Sequence, residues 1–310
     1  MSLENATENF RSGMVALVGK PNTGKSTLTN LLVGQKVSIV SDKAQTTRHR
    51  VLGIVTHETY QMVLIDTPGV HKAHTQLGKI LNETAQSSLE GADALVIMVD
   101  ASRRPDKEEE ALASMLRLQG WIGVDGRARP NVVLCLNKMD LLRAVDVQDH
   151  HDAYCRLYGT DQVMLTSLTK NQNVDKLVEI ILPFLPAGPM LYDQDEVTDQ
   201  PMRRLAAELV REKALRLTRQ EIPHALAAIV DDWTEEPNVT RILISLVVEK
   251  DGQKAIIIGK RGEMLKRIGT EARAEIEATL GKRVFLELFV KVRTDWRQNP
   301  RMLKELDFMG

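Results

Sequence analysis

The sequence predicts an α/β domain with a mostly parallel sheet, followed by a smaller α+β domain. Residues 14–186 alternate short apolar runs with helical patterns, residues 183–201 hold four prolines and a cluster of acids, and a different order of elements follows. Strand–helix alternation builds parallel sheets that are covered by helices on both faces. A chain of 310 residues is also long for one core. We predict a first domain over residues 1–186, a linker over 187–200 and a second domain over 201–310.

The elements of each domain follow from hydrophobic periodicity. The expected buried strands of the first domain are MVALVGK, YQMVLID, ALVIMVD, NVVLCLN and QVMLTS, with helices such as KSTLTNLLVG and EEEALASMLRLQG between them. In the second domain we expect, in order, the helix RRLAAELVREKALRLTRQ, the strands HALAAIVDDWTEE and VTRILISLVVEK, the helix EMLKRIGTEARAEIEATLG, the strand RVFLELFVKVR and a last helical stretch.

The composition is that of a globular protein of a reducing compartment. Hydrophobic residues make up 43% and charged residues 27% of the chain, which excludes a disordered or fibrous protein. Cys135 and Cys155 have no disulfide pattern. The first residues, MSLENATENFRSG, lack the apolar core of a signal peptide, and no run approaches the length of a membrane span. We expect a cytoplasmic protein.

Charge is divided unevenly along the chain. Residues 201–310 hold 21 Lys and Arg against 17 Asp and Glu, a net charge of +4. Subtracting these from the totals of 41 and 42 leaves 20 and 25 for residues 1–200, a net charge of −5. A basic second part indicates a polyanionic partner, although a surplus of four is also compatible with an ordinary solvated surface.

The stretch GKPNTGKS, residues 19–26, matches G-x-x-x-x-G-K-[ST] between a predicted strand and a predicted helix. The backbone N–H groups of such a P-loop wrap nucleotide phosphates at a helix N-terminus. Lys25 is expected to reach the β- and γ-phosphates and Ser26 to ligate Mg²⁺. The first domain is therefore predicted to bind a nucleotide.

Two further strand ends select the nucleotide. Asp66 in DTPG can hold Mg²⁺, and the N–H of Gly69 can sense the γ-phosphate. In NKMD, Asp140 can accept hydrogen bonds from guanine N1–H and the 2-amino group, which adenine lacks. Lys138 can lie along the base, and Asn137 can tie this loop to the P-loop.

Three assignments keep alternatives open. Thr47, or otherwise Thr46, can supply the second Mg²⁺ hydroxyl from QTTRHR. The backbone N–H of Ser167 can meet the guanine carbonyl, or Ser167 can cap the helix NVDKLVEIIL, or both. Asn22 can help to bind K⁺ near the phosphates, or can serve only to stabilise its loop.

A second glycine loop, GKRG at residues 259–262, follows Ile256, Ile257 and Ile258 and opens a helix. In KH domains such a loop clamps the backbone of about four unpaired nucleotides against an apolar groove. Lys260, Arg261 and Lys266 would meet phosphates. The alternative is a surface turn with solvated cations, and the basic charge of the same domain favours RNA.

The order of P-loop, Thr, D-x-x-G, N-K-x-D and a Ser turn resembles the translation-factor-related GTPases. Val70 follows Gly69, so the water-orienting glutamine of Ras-like enzymes is absent there, and slow intrinsic turnover is expected. The whole combination resembles the bacterial Era GTPase family nearly from end to end. The matching stretches are PNTGKSTLTNLLVGQKVSIVS, KAQTTRHRVLGI, IDTPGVHK, NKMDLL, DGQKAIIIGKRGEMLKRIGTEARAEIE and VFLELFVKVR with Trp296.

The resemblance implies a P-loop GTPase domain followed by a type II KH domain. It also implies slow GTP hydrolysis, GTP or GDP with Mg²⁺ as ligands, and a role in small-ribosomal-subunit maturation. Implied partners are the 3′ end of small-subunit rRNA and the 30S subunit, with peripheral inner-membrane association and a monomeric state. Lys20, Thr23 and Leu168 stand where the family usually has Arg, Val and Ala, and Leu168 makes the Ser167 contact the least secure.

These motifs assign a set of residues to each site. Lys25, Thr47 and Asn22 are expected to take part in hydrolysis, and Ser26, Thr47 and Asp66 to hold the metal. Nucleotide contacts are expected from Gly19, Lys20, Pro21, Asn22, Thr23, Gly24, Lys25, Ser26, Thr27, Asp66, Thr67, Pro68, Gly69, Val70, Asn137, Lys138, Asp140 and Ser167. RNA contacts are expected from Ile258, Gly259, Lys260, Arg261, Gly262 and Lys266.

Other classes of protein predict other behaviour. An ATP-using kinase would tolerate ATP, which NKMD argues against. A structural assembly protein with a static GTP would show no turnover. A GTPase whose basic C-terminal domain contacts protein or membrane would not need rRNA, and the basic helix RRLAAELVREKALRLTRQ is partly amphipathic.

Overall fold

The structure is a computed structural model that describes residues 10–41, 43, 46–70, 73–218, 222 and 225–308. Two compact units make up the chain. The first comprises Met1–Ser38, Thr47–Lys72 and Leu81–Asp199, and the second comprises Ile39–Thr46, Ala73–Ile80 and Gln200–Gly310.

The first unit contains a six-stranded sheet. Its strands are β1 (Arg11–Val18), β2 (Val51–Thr56), β3 (Tyr60–Asp66), β4 (Ala94–Asp100), β5 (Val132–Asn137) and β6 (Val163–Leu165). The spatial order is β2-β3-β1-β4-β5-β6, and only the β2–β3 pair is antiparallel. The prediction of a mostly parallel sheet is confirmed.

Helices cover both faces of this sheet. They are α1 (Lys25–Val33), α3 (Lys107–Leu118), α4 (Val147–Tyr158) and α5 (Val174–Ile181), whereas α2 (Gln76–Ser87) is divided between the two units after Ile80. Because side chains alternate along β1, Val15 and Leu17 join one buried cluster with α1 and α5, whereas Ala16 and Val18 join another with α3 and α4. Because β1, β3, β4, β5 and β6 run parallel, their carboxyl ends come together at one edge of the sheet, where ligands bind in such folds.

Sequence reasoning missed one strand and misjudged another. Strand β2 was not predicted, because VLGIVT carries a glycine and no clear alternation. The QVMLTS strand was expected to be buried, but β6 is three half-buried residues at the edge of the sheet. An edge strand has a neighbour on one side only, which leaves it more exposed.

The predicted linker is not a free connector over its whole length. Val197 accepts a hydrogen bond from the β2 residue Ile54 at 2.9 Å, and Gln61 binds the backbone of Leu191 and Tyr192. Met190 and Leu191 are exposed. Residues up to Asp199 therefore pack with the first unit, along its edge strand.

The second unit contains a three-stranded sheet with helices. Its elements are α6 (Met202–Leu217), β7 (Ala227–Glu235), β8 (Val239–Val248), α7 (Asp251–Ile258), α8 (Glu263–Leu280), β9 (Arg283–Val292) and α9 (Pro300–Glu305). Strand β8 pairs antiparallel with β7 and parallel with β9. The expected elements are present, and the apolar run Ile256–Ile258 is the last turn of α7. Arg219 and Gln220 of the predicted helix and His224 of the predicted strand lie outside the described residues.

Two further observations concern the cysteines and the lengths of the helices. Cys135 and Cys155 are both free thiols. Within the described part of the chain, every helix is too short or too polar to cross a bilayer.

Candidate functional site

The glycine loop joins β1 to α1, and close packing requires glycine at two of its positions. A Cβ on Gly19 would lie 2.2 Å from the carbonyl oxygen of Met98 on β4. Gly24 has φ 112°, and a Cβ there would lie 2.5 Å from Asn137 Nδ2. Asn22 is left-handed, φ 64°, a conformation that asparagine tolerates. The loop is thus held in one shape around the N-terminus of α1, where backbone N–H groups favour an anion.

Lys25 is buried under this loop. Its Nζ donates to the carbonyl oxygens of Gly19 at 3.0 Å and Lys20 at 2.9 Å. Burial lowers the pKa of Lys25 to about 8, an effect that the charges of Asp66 and Glu109 oppose. An ammonium group has three N–H donors, so the third remains for a phosphate oxygen.

The three predicted metal ligands lie near this lysine. Ser26 Oγ is 2.8 Å from Thr47 Oγ1, whereas the hydroxyl of Thr46 donates to the Lys43 carbonyl at 2.6 Å, so Thr47 is the threonine beside Ser26. Asp66 is fully buried and accepts a 2.7 Å hydrogen bond from Ser38 through Oδ2.

Asp66 Oδ1 is also buried and has no hydrogen-bond partner among the residues that the structure describes. Burial raises the pKa of Asp66, with the hydroxyls of Ser26 and Ser38 and the charge of Lys25 acting in the opposite direction. A buried oxygen left unpaired is costly, and hydroxyl and carboxylate oxygens are the ligands that Mg²⁺ prefers. Ser26, Thr47 and Asp66 therefore fit Mg²⁺, which would supply charge neutralisation at the phosphates when bound.

The DTPG segment packs directly on the P-loop. Thr67 donates its hydroxyl to the carbonyl of Leu17 at 2.7 Å, a structural role. A Cβ on Gly69 would lie 2.6 Å from the backbone nitrogen of Pro21, and Val70 N donates to the Gly19 carbonyl at 3.2 Å. His71 and Lys72, which complete the DTPGVHK motif, lie outside the described residues, as do Ala44 and Gln45 of KAQTTRHR.

Asn137 ties three loops together at the end of β5. Its Nδ2 donates to the P-loop carbonyl of Thr23 at 2.8 Å. Its Oδ1 accepts from the backbone N–H of Leu168 at 3.2 Å and from the hydroxyl of Thr166 at 3.3 Å. The neighbouring Lys138 is left-handed, φ 66°, and its Nζ pairs with Asp100 at 2.7 Å. The base side of the site is thereby held at a fixed distance from the phosphate side.

Asp140 carries the chemistry of base selection. The hydroxyl of Ser167 donates to its Oδ1 at 2.6 Å, and this hydrogen bond holds the pKa of Asp140 below its usual range. An ionised carboxylate only accepts hydrogen bonds. It can pair with the N1–H and amino donors of guanine, and adenine would leave it unpaired.

The alternative role that sequence gave to Ser167 is wrong. Helix α5 begins at Val174 after Asn173, too far along the chain for Ser167 to cap it. The Ser167 hydroxyl instead orients Asp140, and the backbone N–H of Ser167 donates to the carbonyl of Gln172 at 3.4 Å. Thr166, which the sequence placed in the same turn as Ser167, donates its hydroxyl to Asn137, and Ser38 and Asp100 also support the site. No sequence motif marked the last two, because their partners are distant along the chain.

The GKRG loop forms a turn between α7 and α8 in the second unit. Gly259 has φ 72°, and a Cβ there would lie 2.5 Å from the Cβ of Met264. Gly262 has φ 80° with open space around it. Lys260 and Arg261 are exposed at its tip, and Lys266 is exposed one turn into α8. Partly buried apolar side chains adjoin the loop; they are Ile256, Ile258, Met264 and Leu265. An anionic chain could thus meet cations and an apolar surface together.

Comparison with known proteins finds family models that match both parts of the chain. Residues 14–138 match the family model described as 50S ribosome-binding GTPase, and residues 221–297 match the KH domain model. The chain is 43% identical over 302 residues to the GTPase Era of a Geobacter strain, covering 97% of this chain and 99% of that protein. It is 40% identical to the GTPase Era of Heliobacterium modesticaldum, covering 97% and 98%.

Two similar crystal structures span 96% of this chain and 99% of their own, each with 39% identity and a TM-score of 0.89. One is Era in complex with MgGDPNP and nucleotides 1506–1542 of 16S ribosomal RNA. The other is a single-residue variant of Aquifex aeolicus Era bound to GDP and AlF4⁻. Relatives named GTPase Era match nearly the whole chain at 40–43% identity, from the nucleotide site to the KH domain, and this chain therefore belongs to the Era GTPase family.

Proposed function

We propose that this chain is an rRNA-binding GTPase that acts in maturation and assembly of the small ribosomal subunit. The exposed GKRG loop carries the proposal, because it places two cations beside an apolar surface. Single-stranded RNA is recognised by this combination of backbone clamping and base contact. The related Era that was solved with nucleotides 1506–1542 of 16S rRNA supports the 3′ end of that RNA, within the 30S subunit, as the target.

The nucleotide controls this binding in our proposal. Thr47 and the Asp66–Val70 segment lie beside the phosphate site, so bound γ-phosphate would order them and its loss would release them. A change in these segments would then alter rRNA affinity. The test compares binding of a 16S 3′-end RNA with a GTP analogue, GDP and no nucleotide; equal affinities would contradict the coupling.

The RNA site is tested by crosslinking in cells that carry Gly262→Asp. The new carboxylate would repel phosphate at the loop, so we expect loss of small-subunit rRNA crosslinks. Since φ is 80° at Gly262, the aspartate also introduces backbone strain.

Gly281→Asp is the matched control, because Gly281 has φ 64°, open space and a place at the opposite end of α8. Helix α8 has 18 residues, which separates the two sites by about 27 Å. Loss of crosslinks in Gly262→Asp alone supports the KH loop as the RNA site. Crosslinks that persist at the parent level in both variants would favour the second candidate, in which the basic C-terminal domain contacts protein or membrane.

Three finer properties belong to the same proposal. We infer that K⁺ assists hydrolysis through Asn22, and equal rates in K⁺ and Na⁺ would contradict this. The left-handed backbone at Asn22 is also compatible with a purely structural role for that residue.

We also infer that the chain is a monomer and associates peripherally with the inner membrane. Sedimentation of the purified chain tests the first property, and flotation with anionic vesicles tests the second.

A further inference from the structure

The side chain of Lys20 turns away from the loop that contains it. Its Nζ lies 2.5 Å from Asp106 Oδ2, 3.8 Å from Glu109 Oε1 and 3.9 Å from Glu108 Oε2. These acids stand at the start of α3, where Asp106 also caps the helix by accepting from the N–H groups of Glu108 and Glu109. Lys20 thus connects the P-loop to a separate helix of the same unit.

Glu109 is unusual among these acids because it is fully buried. Tyr158 donates its hydroxyl to Oε2, and Oε1 has no hydrogen-bond partner within the described residues. The Lys20 ammonium lies 3.8 Å from that oxygen, and the charge of Lys25 also interacts with Glu109. A buried carboxylate with an unpaired oxygen costs folding free energy, and neutral residues often serve stability better at such positions. Its presence beneath the P-loop therefore suggests a role in the site.

The backbone of Lys20 links this ion pair to the phosphate-binding lysine. The Lys20 carbonyl accepts from Lys25 Nζ at 2.9 Å and from the Thr23 hydroxyl at 3.1 Å. Two of the three Lys25 donors are used by the Gly19 and Lys20 carbonyls. The direction of the third N–H consequently depends on where the Lys20 carbonyl is held.

We propose that Asp106 and Glu109 are positioning residues for GTP binding: they anchor the Lys20 side chain on α3, so that the Lys20 carbonyl holds Lys25 toward the nucleotide phosphates. In this arrangement the side chain of Lys20 does not contact the nucleotide. The inference concerns the GTPase site alone, so it stands whether or not the RNA proposal holds.

The experiment measures Kd for fluorescent GDP and for a fluorescent non-hydrolysable GTP analogue in full-length protein with Mg²⁺. One variant is Lys20→Met. A second combines Asp106→Asn, which keeps a good helix cap, with Glu109→Gln, which keeps an acceptor for Tyr158. A third variant carries all three substitutions. The control combines Glu110→Gln with Glu90→Gln, which also removes two negative charges but from exposed positions.

Each of the first two variants is expected to weaken both nucleotides on the order of tenfold, the effect of one charged hydrogen bond. The triple variant should lose no more affinity than whichever of the first two variants binds less tightly, since all three substitutions break one anchor. The control should bind as the parent does, and the Tm of the nucleotide-free variants should stay near that of the parent.

Three results would overturn the proposal. Loss of affinity in Lys20→Met, with normal affinity in the variant that combines Asp106→Asn and Glu109→Gln, would mean that Lys20 contacts the phosphates directly. Losses that multiply to about a hundredfold in the triple variant would mean that the residues act independently. A drop in Tm that accounts for the lost affinity would assign Glu109 a structural role only.

Discussion

At the scale of single residues, the site consists of polar groups held by partners that are distant in sequence. Asp66 is bound by Ser38, Lys138 by Asp100 and Asp140 by Ser167. Each partner fixes a charged group before any ligand arrives. Preorganised groups lose less freedom on binding, which favours affinity.

Ser167→Ala tests this preorganisation on the base side of the site. Without the 2.6 Å hydrogen bond, Asp140 is free to rotate, so GDP affinity at neutral pH should fall roughly two- to tenfold. The hydrogen bond depresses the pKa of Asp140, so its loss lets the carboxylate protonate at a higher pH. Only the ionised form accepts both guanine donors, and the acid decline of GDP affinity should therefore move to higher pH in the variant.

The measurement is the ratio of variant to parent GDP affinity from pH 7 to pH 4.5, in which the titration of the nucleotide phosphates cancels. Thr169→Ala is the control, because the hydroxyl of the exposed Thr169 lies 3.5 Å from Ser167 Oγ and has no hydrogen bond to Asp140 within the described residues. A ratio that stays constant with pH would contradict the proposed effect of Ser167 on Asp140.

At the scale of elements, close packing explains features that periodicity does not. Gly53 interrupts the apolar pattern of β2, and a Cβ there would lie 2.5 Å from Thr29 Cγ2 and 2.9 Å from Val33 Cγ2 on α1. The glycine therefore lets the helix that follows the P-loop pack closely on the sheet. The same residue that weakens the strand signal in the sequence is required by the helix against which the strand packs.

The turn at Trp296 offers a stability test in the second unit. Trp296 is fully buried, its indole N–H donates to the Ala225 carbonyl at 3.0 Å, and its ring stacks on Phe308 at 5.8 Å between centroids. Trp296→Ala should lower the free energy of unfolding by about 3–5 kcal/mol through the cavity that it leaves. Trp296→Phe keeps most of the ring and should lose about 1 kcal/mol for the hydrogen bond.

Thermal and urea unfolding of both variants check this order. GTP hydrolysis without RNA serves as an internal control, since Trp296 lies outside the nucleotide site. Similar losses for alanine and phenylalanine would mean that the hydrogen bond, and not the buried ring, holds the turn.

At the scale of the whole molecule, charge and chemistry are divided between the two parts of the chain. Residues 1–200 carry −5 and residues 201–310 carry +4. The acidic part contains the site for a small anion, which backbone N–H groups and one lysine bind locally. The basic part carries the loop proposed for a polyanion, whose binding depends on released counterions.

Salt dependence separates loop contacts from general charge. Lys260→Ser with Arg261→Ser should reduce the slope of log K against log salt for single-stranded RNA by about 1.4, or 0.7 for each phosphate contact. Arg301→Ser with Lys304→Ser makes the same charge change on exposed positions of α9 and should leave the slope nearly unchanged. Equal slopes for the two double variants would contradict specific phosphate contacts by the loop.

The sequence by itself determined the local parts of this protein. Strand β1, the P-loop and helix α1 are contiguous, and so are the GKRG loop and α8, so their periodicity and glycines identify them. Helix α7 before the loop was not predicted, because the sequence marked only its last residues, the apolar run Ile256–Ile258. The resemblance to the Era family came from such contiguous motifs. Only the tertiary structure decided which distant residues support them: that Ser167 orients Asp140 and does not cap α5, that β6 is a half-buried edge, and that Glu109 lies beneath Lys20. Local patterns record backbone preference and burial, whereas these pairings depend on how separate strands and helices are brought together by packing.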